Sequence, residues 1–245
     1  RLILVSRTLE KLLEAKAEIA KEGGKVDVKP ANVTDMQTVV DVVGAVYEEY
    51  GRLDIFVNNA GTWKGHGLDS SFSDIWKLIE FDMKAPFEIA HYLLSRFKDV
   101  KENKLQVLTT VSHAALRVLP GSLGYGVAKM GLAAALFHLQ KELERDDIEN
   151  VALYRLYPDS VGTPKMVEEM RKHGVMNLVS VQSVVDLVLD MLSGKTPTRD
   201  ARIGYYKDRG IVRTFYTSEI REFYDARPVT SVVIDANFKP EDLLK

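Results

Sequence analysis

The chain has 245 residues, is 46% hydrophobic, carries a formal net charge of −2 and contains no cysteine. That apolar content suffices for one α/β domain with a substantial core, and the lack of cysteine excludes disulfides, thiolate catalysis and Cys-based metal sites. Lysines and arginines are scattered rather than gathered on one face, which argues against nucleic acid, and no run of about 18 apolar residues is present to span a membrane. No secretory leader is read at the start, so a cytoplasmic location is expected. The five histidines, at 66, 91, 113, 138 and 173, lack metal-ligand spacing; they are expected on the surface or in packing, and no metal is expected.

Residues 1–6 read as a strand. A helix over 9–22 follows, with Leu9, Leu12, Leu13, Ile19 and Ala20 on one stripe and Gly23-Gly24 as its stop. Residues 25–29 alternate as a strand, and Thr34-x-x-Gln37 forms a capping box that opens a helix over 35–50. Its apolar stripe is Met36, Val39, Val40, Val43, Val46 and Tyr50, and Gly51 ends it. The strand 53–57 runs directly into Asn58-Asn59-Ala60-Gly61. Helices near 73–98 and 123–144 flank a β-branched, apolar strand over 105–111 that ends on the hydroxyl of Ser112. A strand over 151–156, a helix over 181–193 and a strand over 203–207 complete the pattern. Strands alternating with helices predict a doubly wound, mostly parallel sheet in a single domain, with no repeat or linker dividing it.

The chemistry concentrates in Gly-Tyr125-Gly-Val-Ala-Lys129. Four residues apart on a helix, the phenol and the ammonium share one face. A phenol of pKa near 10 transfers protons poorly at neutral pH, and a nearby positive charge is expected to draw it down. Alone the spacing is weak, since about one such pair is expected by chance. Its company matters more. Open α/β sheets bind ligands at the carboxyl ends of their strands, which is where both Asn-Asn-Ala-Gly and Ser112 fall.

Asn58-Asn-Ala-Gly61, then Ser112, then Tyr125-x-x-x-Lys129, in this order and spacing, resembles the short-chain dehydrogenase/reductase family over residues 1 to about 205. The resemblance implies a Rossmann-like fold and an oxidoreductase that interconverts a carbonyl and an alcohol. Tyr125 would be the general acid–base, Lys129 would lower its pKa and bond the nicotinamide ribose, and Ser112 would orient the substrate oxygen. Asp82 stands where the family has an Asn that holds a relay water. Its charge can pair with Lys129 and weaken the effect on Tyr125.

For the cofactor, the resemblance implies that Asn59, Ala60 and Gly61 line the adenosine ribose, and that Asn32 and Val33 take the place of the Asp-Val that holds adenine, Asn32 through its amide oxygen. Pro158, Val161 and Thr163 match the segment against the nicotinamide, with Asp159 replacing the family's glycine. Ser6 stands where NAD-selective members carry an acid, and Arg7 can pair with a 2′-phosphate, so NADP is favoured over NAD. A dinucleotide-binding unit carries its glycine fingerprint about 20 residues before that reader. The phosphate loop and first strand are therefore expected upstream of Arg1, and a start at Arg fits a partly recorded sequence. Gly61-x-x-x-Gly65-x-Gly67 matches the spacing but precedes no helix, and is read as coincidence.

Residues 164–180 are expected to form a substrate lid with Met166, Val167 and Met170 facing inward; with Trp63, Leu116 and Val118 they imply a fairly apolar substrate. Residues 208–245 are a C-terminal extension without an assigned role, although 231–235 reads as a strand that could patch the gap left in the sheet. By resemblance, a homodimer or homotetramer is expected through the helices near 85–98 and 123–144. Two other readings stand beside the oxidoreductase. One is a non-catalytic scaffold or binding protein of the same fold. The other is an epimerase or dehydratase using the same Tyr and Lys.

Overall fold

The computed structural model of the chain describes residues 1–172, 178–206, 211–216 and 232–233. The chain falls into two compact units, Arg1–Asp54 and Ile55–Lys245, and its strands lie in two sheets.

In the first unit, β1 (Leu2–Ser6) runs parallel to β2 (Val26–Pro30), with Leu2 opposite Val26 and Ser6 opposite Pro30. Parallel strands need a crossover between them, and α1 (Leu9–Lys21) supplies it. Helix α2 (Met36–Tyr50) comes next and buries Val39, Val43 and Val46, the expected stripe at helical spacing. Its cap differs from the expected capping box. Asp35 caps it, accepting from the Gln37 N–H at 3.1 Å. The hydroxyl of Thr34 instead donates to Asn32 Oδ1 at 3.0 Å, so the turn before the helix takes it.

In the second unit, β3 (Ile55–Asn58), β4 (Leu105–Thr110), β5 (Val151–Pro158) and β6 (Asp200–Tyr206) are parallel neighbours in that order. Two antiparallel strands extend the sheet beyond β6: β7 (Ile211–Tyr216) and β8 (Val232–Val233). The 231–235 segment thus patches no gap. Val232 and Val233 pair with Tyr216 and Phe215, at the end of the sheet away from β3. An antiparallel partner needs no crossover, which is why this segment adds to β7. The rest of the 208–245 extension lies outside the described residues, as do residues 173–177 of the expected lid. The lid's first half is helix α6 (Pro164–Lys172).

Strand β5 is covered on both sides. Leu156 packs with Leu187 and Met191 of α7 (Val181–Leu192), while Tyr157 packs with Ala90 and with Leu132 and Leu136 of α5 (Leu123–Arg145). Consecutive strand residues point to opposite faces. The mostly apolar strand read over 151–156 is therefore buried by helices on both sides.

The helix expected over 73–98 is broken into three. α3 (Phe72–Ile79) is capped by Ser71, a π turn covers Glu80–Lys84, and α4 is Ala85–Phe97. Pro86 explains the break: it has no N–H to offer the carbonyl four residues back, at Asp82. The Ala85 N–H reaches the Glu80 carbonyl instead, an i→i+5 bond. The widened turn puts Asp82 fully inside.

Sheet and helix layer are tied by a buried ion pair. Arg155 of β5 bonds Asp200 of β6 through both Nε and Nη2, the latter at 2.6 Å. Its Nη1 donates to the Leu136 carbonyl of α5 at 3.2 Å, and its guanidinium lies 3.7 Å from the Phe137 ring centroid. Removing one partner of such a pair leaves an uncompensated buried charge. Arg155→Leu should destabilise the fold by about 3–5 kcal/mol, read by urea unfolding, and adding Asp200→Leu should recover part of that loss.

Candidate active site

Four segments of the second unit meet at the carboxyl ends of β3 and β4. They are the Asn58–Thr62 turn, the π turn carrying Asp82, Ser112 after β4, and the first turns of α5 with Tyr125 and Lys129. Asn58 is buried and donates its amide to the Pro86 carbonyl at 2.9 Å, which binds the turn to the start of α4. The loop beyond is pinned to the entry of α5. The His66 N–H donates to the Gly121 carbonyl at 2.8 Å and the Leu123 N–H to the His66 carbonyl at 3.2 Å. Gly121 makes that turn at φ +76°, a conformation that favours glycine.

At the centre Lys129 Nζ lies 3.1 Å from Asp82 Oδ1, with both side chains buried. The Thr62 N–H donates to the two Asp82 oxygens at 3.1 and 3.3 Å. Burial pushes Asp82 above the usual carboxylate range and Lys129 below the usual amine range, and their mutual attraction opposes both shifts. Gly61 admits this arrangement by having no side chain. A Cβ there would lie 3.0 Å from Asp82 Oδ1 and 3.5 Å from Lys129 Nζ.

Tyr125 departs from the expectation. Its pKa is raised, first by burial and then by the negative charge of Asp82, against a hydrogen bond with Ser112 that lowers it. Lys129 Nζ is 5.6 Å from the phenol ring centroid and directed to Asp82. The ammonium expected to draw the phenol down is compensated by the carboxylate, so burial prevails. Ser112 is itself buried and positioned: its Oγ accepts from the Ala114 N–H at 3.0 Å and caps the 3₁₀ turn His113–Ala115.

The residues expected at the cofactor fall in both units. In the first, the Ala31 N–H donates to the Ser6 carbonyl at 2.9 Å, which places Ser6 and Arg7 at the same sheet end as Asn32 and Val33. Asn32 Oδ1 already accepts from the Thr34 N–H at 3.3 Å and from its hydroxyl at 3.0 Å. The amide oxygen expected to hold adenine is thus engaged in a turn. In the second unit Asn59, Ala60 and Gly61 are exposed, and Asn59 Oδ1 accepts from Thr110 at 2.8 Å. That open backbone, with no Cβ at Gly61, fits the close approach of a dinucleotide. Pro158 ends β5, Val161 pairs with Val179, and Thr163 Oγ1 accepts from the Met166 N–H at 3.3 Å at the start of α6.

One cluster joins residues to which the sequence assigns no shared role. His113, expected on the surface or in packing, is buried with Nδ1 3.1 Å from Asp159 Oδ2, and Arg117 lies 3.8 Å from Asp159 Oδ1. Burial works to raise the Asp159 carboxyl, but the hydrogen bond and charge of His113, the Ser160 N–H and Arg117 together bring it down to about 2. The turn tolerates Asp in place of glycine because it needs no positive φ: among the described residues only Asp147 is a non-glycine there. The available signal was the Asp at a glycine position and the His beside Ser112.

The profile of the short chain dehydrogenase family matches residues 1–175. The chain belongs to this family. It is 27% identical over 150 residues to the 3-oxoacyl-acyl-carrier-protein reductase FabG of Thermotoga maritima, which covers 61% of this chain and 60% of that one. It is 33% identical over 135 residues to the sorbose reductase SOU1 of Candida albicans, covering 53% and 47%. The chain thus spans about half to three fifths of these relatives' length. Among solved structures, an alcohol dehydrogenase from Thermococcus sibiricus complexed with 5-hydroxy-NADP superposes with a TM-score of 0.67 at 21% identity, covering 83% and 85%. A 7α-hydroxysteroid dehydrogenase complexed with NADH gives 0.70 at 16%, covering 81% and 80%. These likenesses show the Rossmann-like fold of the short-chain dehydrogenases. Family membership and fold are thus established for the chain. Among the described residues no helix is long and apolar enough to cross a membrane, and no cluster of three metal-ligating side chains occurs.

The Asp82–Lys129 pair generates a prediction. Asp82→Asn removes the negative charge that raises Tyr125 and frees the ammonium to favour the phenolate. The alkaline limb of the pH–rate profile should move to lower pH in the variant. An unchanged profile would remove Asp82 from the account of Tyr125.

Proposed function

We propose that the chain is an NADP(H)-dependent oxidoreductase that interconverts a carbonyl and an alcohol, with Tyr125 as the general acid–base. The observation that carries this reading is Tyr125 on the first turns of a helix that places Lys129 one turn away and ion-paired to Asp82, with the Ser112 hydroxyl acting on the phenol. When bound, the nicotinamide supplies or accepts the hydride. The chain's own groups handle the oxygen. Ser112 holds the substrate oxygen beside the phenol, and Tyr125 gives it a proton during reduction or takes one during oxidation. Because the Tyr125 pKa is raised, the phenol is protonated at neutral pH. That form donates, so reduction is the direction supported near neutrality. Oxidation, which needs the phenolate, should increase with pH.

Ser6, Arg7, Asn32, Val33, Asn59, Ala60, Gly61, Lys129, Pro158, Val161 and Thr163 are the residues assigned to the cofactor. The preference for NADP rests on Arg7 beside the small, uncharged Ser6. An apolar substrate is supported by Trp63 and Val118, which are 57% and 86% exposed on the loops beside the site, and by half-buried Met166 and Val167 on α6. Pairing of chains through α4 and α5, and a cytoplasmic location, belong to the same proposal.

The test is titration with NADPH and NADH by fluorescence and thermal shift, on this chain and on a form extended upstream, then a panel of apolar ketones. NADPH should bind more tightly than NADH, and Arg7→Glu should reverse that order. Tyr125→Phe should retain binding and lose about a hundredfold or more of the reduction rate. Silence of both nucleotides on both forms would sink the oxidoreductase mechanism and leave the scaffold.

A further inference from the structure

We propose that His113, held by the carboxylate of Asp159, is the positioning residue that seats the Ser112 hydroxyl against Tyr125. This rests on the function proposed above but adds a contact that the site's own residues do not supply. Ser112 lies in extended backbone, φ 175° and ψ 156°, so the residues after it must fix the direction of its Oγ. Those residues form the 3₁₀ turn His113–Ala115, whose Ala114 N–H donates to that Oγ at 3.0 Å. A single 3₁₀ turn has poor hydrogen-bond geometry and does not hold itself. It needs an anchor.

The anchor is built on the sheet. The Asp159 N–H donates to the Ile203 carbonyl of β6 at 2.8 Å, and Asp159 Oδ1 accepts from the Ser160 N–H at 2.9 Å. The carboxylate is thereby fixed at the end of β5, and its second oxygen meets His113 Nδ1 at 3.1 Å. His113 is 5% exposed, so water offers no replacement for this partner. A neutral imidazole facing a carboxylate carries its hydrogen on Nδ1. Three charged groups face the ring: Asp159 from the end of β5, Arg117 from the loop after the turn, and Arg202 from β6. Burial lowers the His113 pKa, the Asp159 hydrogen bond opposes this, and the two arginines reinforce it. The ring is therefore neutral at pH 7 and meets Asp159 by a close Nδ1–Oδ2 contact, with no proton to contribute to turnover.

The variants His113→Phe and His113→Asn separate positioning from bulk. Phe keeps a ring and loses the donor, whereas the Asn amide places an N–H where Nδ1 stood. The first readout is the titration of Tyr125, tracked by the NMR signal of its ring Cζ, which needs no substrate. His113→Phe should raise the Tyr125 midpoint, because the Ser112 hydrogen bond that lowers it is lost, and His113→Asn should restore it. The second is turnover. The reduction rate should fall about ten- to a hundredfold in His113→Phe with NADPH affinity unchanged, and recover in His113→Asn. Asp159→Ala, made alongside, removes the acceptor from the other side and should raise the same midpoint, so the question is decided even where His113→Phe fails to fold. A wild-type Tyr125 midpoint in the folded variants, or an Asn variant as impaired as the Phe one, overturns the proposal. A wild-type protein that reduces no carbonyl with either nucleotide, both as this chain and in the upstream-extended form, overturns the proposed function instead, while the Tyr125 titration still decides the role of His113.

Discussion

A carboxylate with no exposure to solvent, 3.1 Å from the ammonium of Lys129, is the constraint around which this site is organised. Taking two such charges out of water costs several kcal/mol each, and the attraction offsets this only with good geometry and further hydrogen bonds. The local irregularities of the second unit supply both. Pro86 breaks the helix ladder, and the resulting π turn points Asp82 inward. The Thr62 N–H satisfies the carboxylate, and Gly61 leaves the room a Cβ would fill. A change in any of them acts on the charge balance beside Tyr125, where burial first and the Asp82 charge after it hold the phenol above its ordinary value.

The helix that carries Tyr125 and Lys129 depends on distant anchors. Arg155 joins β5 and β6 to the Leu136 carbonyl, nearly two turns past Lys129 on α5. At the other end, His66 pins the loop after β3 to the turn that starts α5. One anchor sets where the helix lies on the sheet, and the other sets where its first turn meets the Asn58–Thr62 segment. Side chains on a rigid element held at both ends keep their relative positions, which catalysis by proton transfer requires.

Much of this is legible in the sequence. The apolar run of β5 and the stripe Val39, Val43, Val46 reflect burial on two faces and on one. The site's core is legible too, because the ends of β3 and β4 and the start of α5 bring Asn58–Gly61, Ser112 and Tyr125 into one place. The break in the helix 73–98 is not, since a π turn inserts one residue without disturbing an amphipathic pattern enough to be seen. The cap of α2 is ambiguous because Thr34 and Asp35 both suit the position, and only the competing turn at Asn32 decides between them. The sign of the Tyr125 shift differs from the expectation for a physical reason. Spacing along a helix places Lys129 near the phenol, but says nothing of how deeply both are buried or how closely Asp82 approaches.

Two substitutions that look like losses, Asp82 for the family's asparagine and Asp159 for its glycine, have opposite physical outcomes. Asp82 is sealed from solvent and held by a cation, so it changes the electrostatics of the site while the geometry accommodates it. Asp159 is partly exposed, and its carboxyl is brought down to about 2 by the groups that meet it, so it stays ionised where burial pushes Asp82 the other way. Each is matched by its own compensations, Thr62 and Lys129 for the first, His113, Ser160 and Arg117 for the second. Unpaired carboxylates in such places would be costly. Fully partnered, both are accommodated without an uncompensated buried charge.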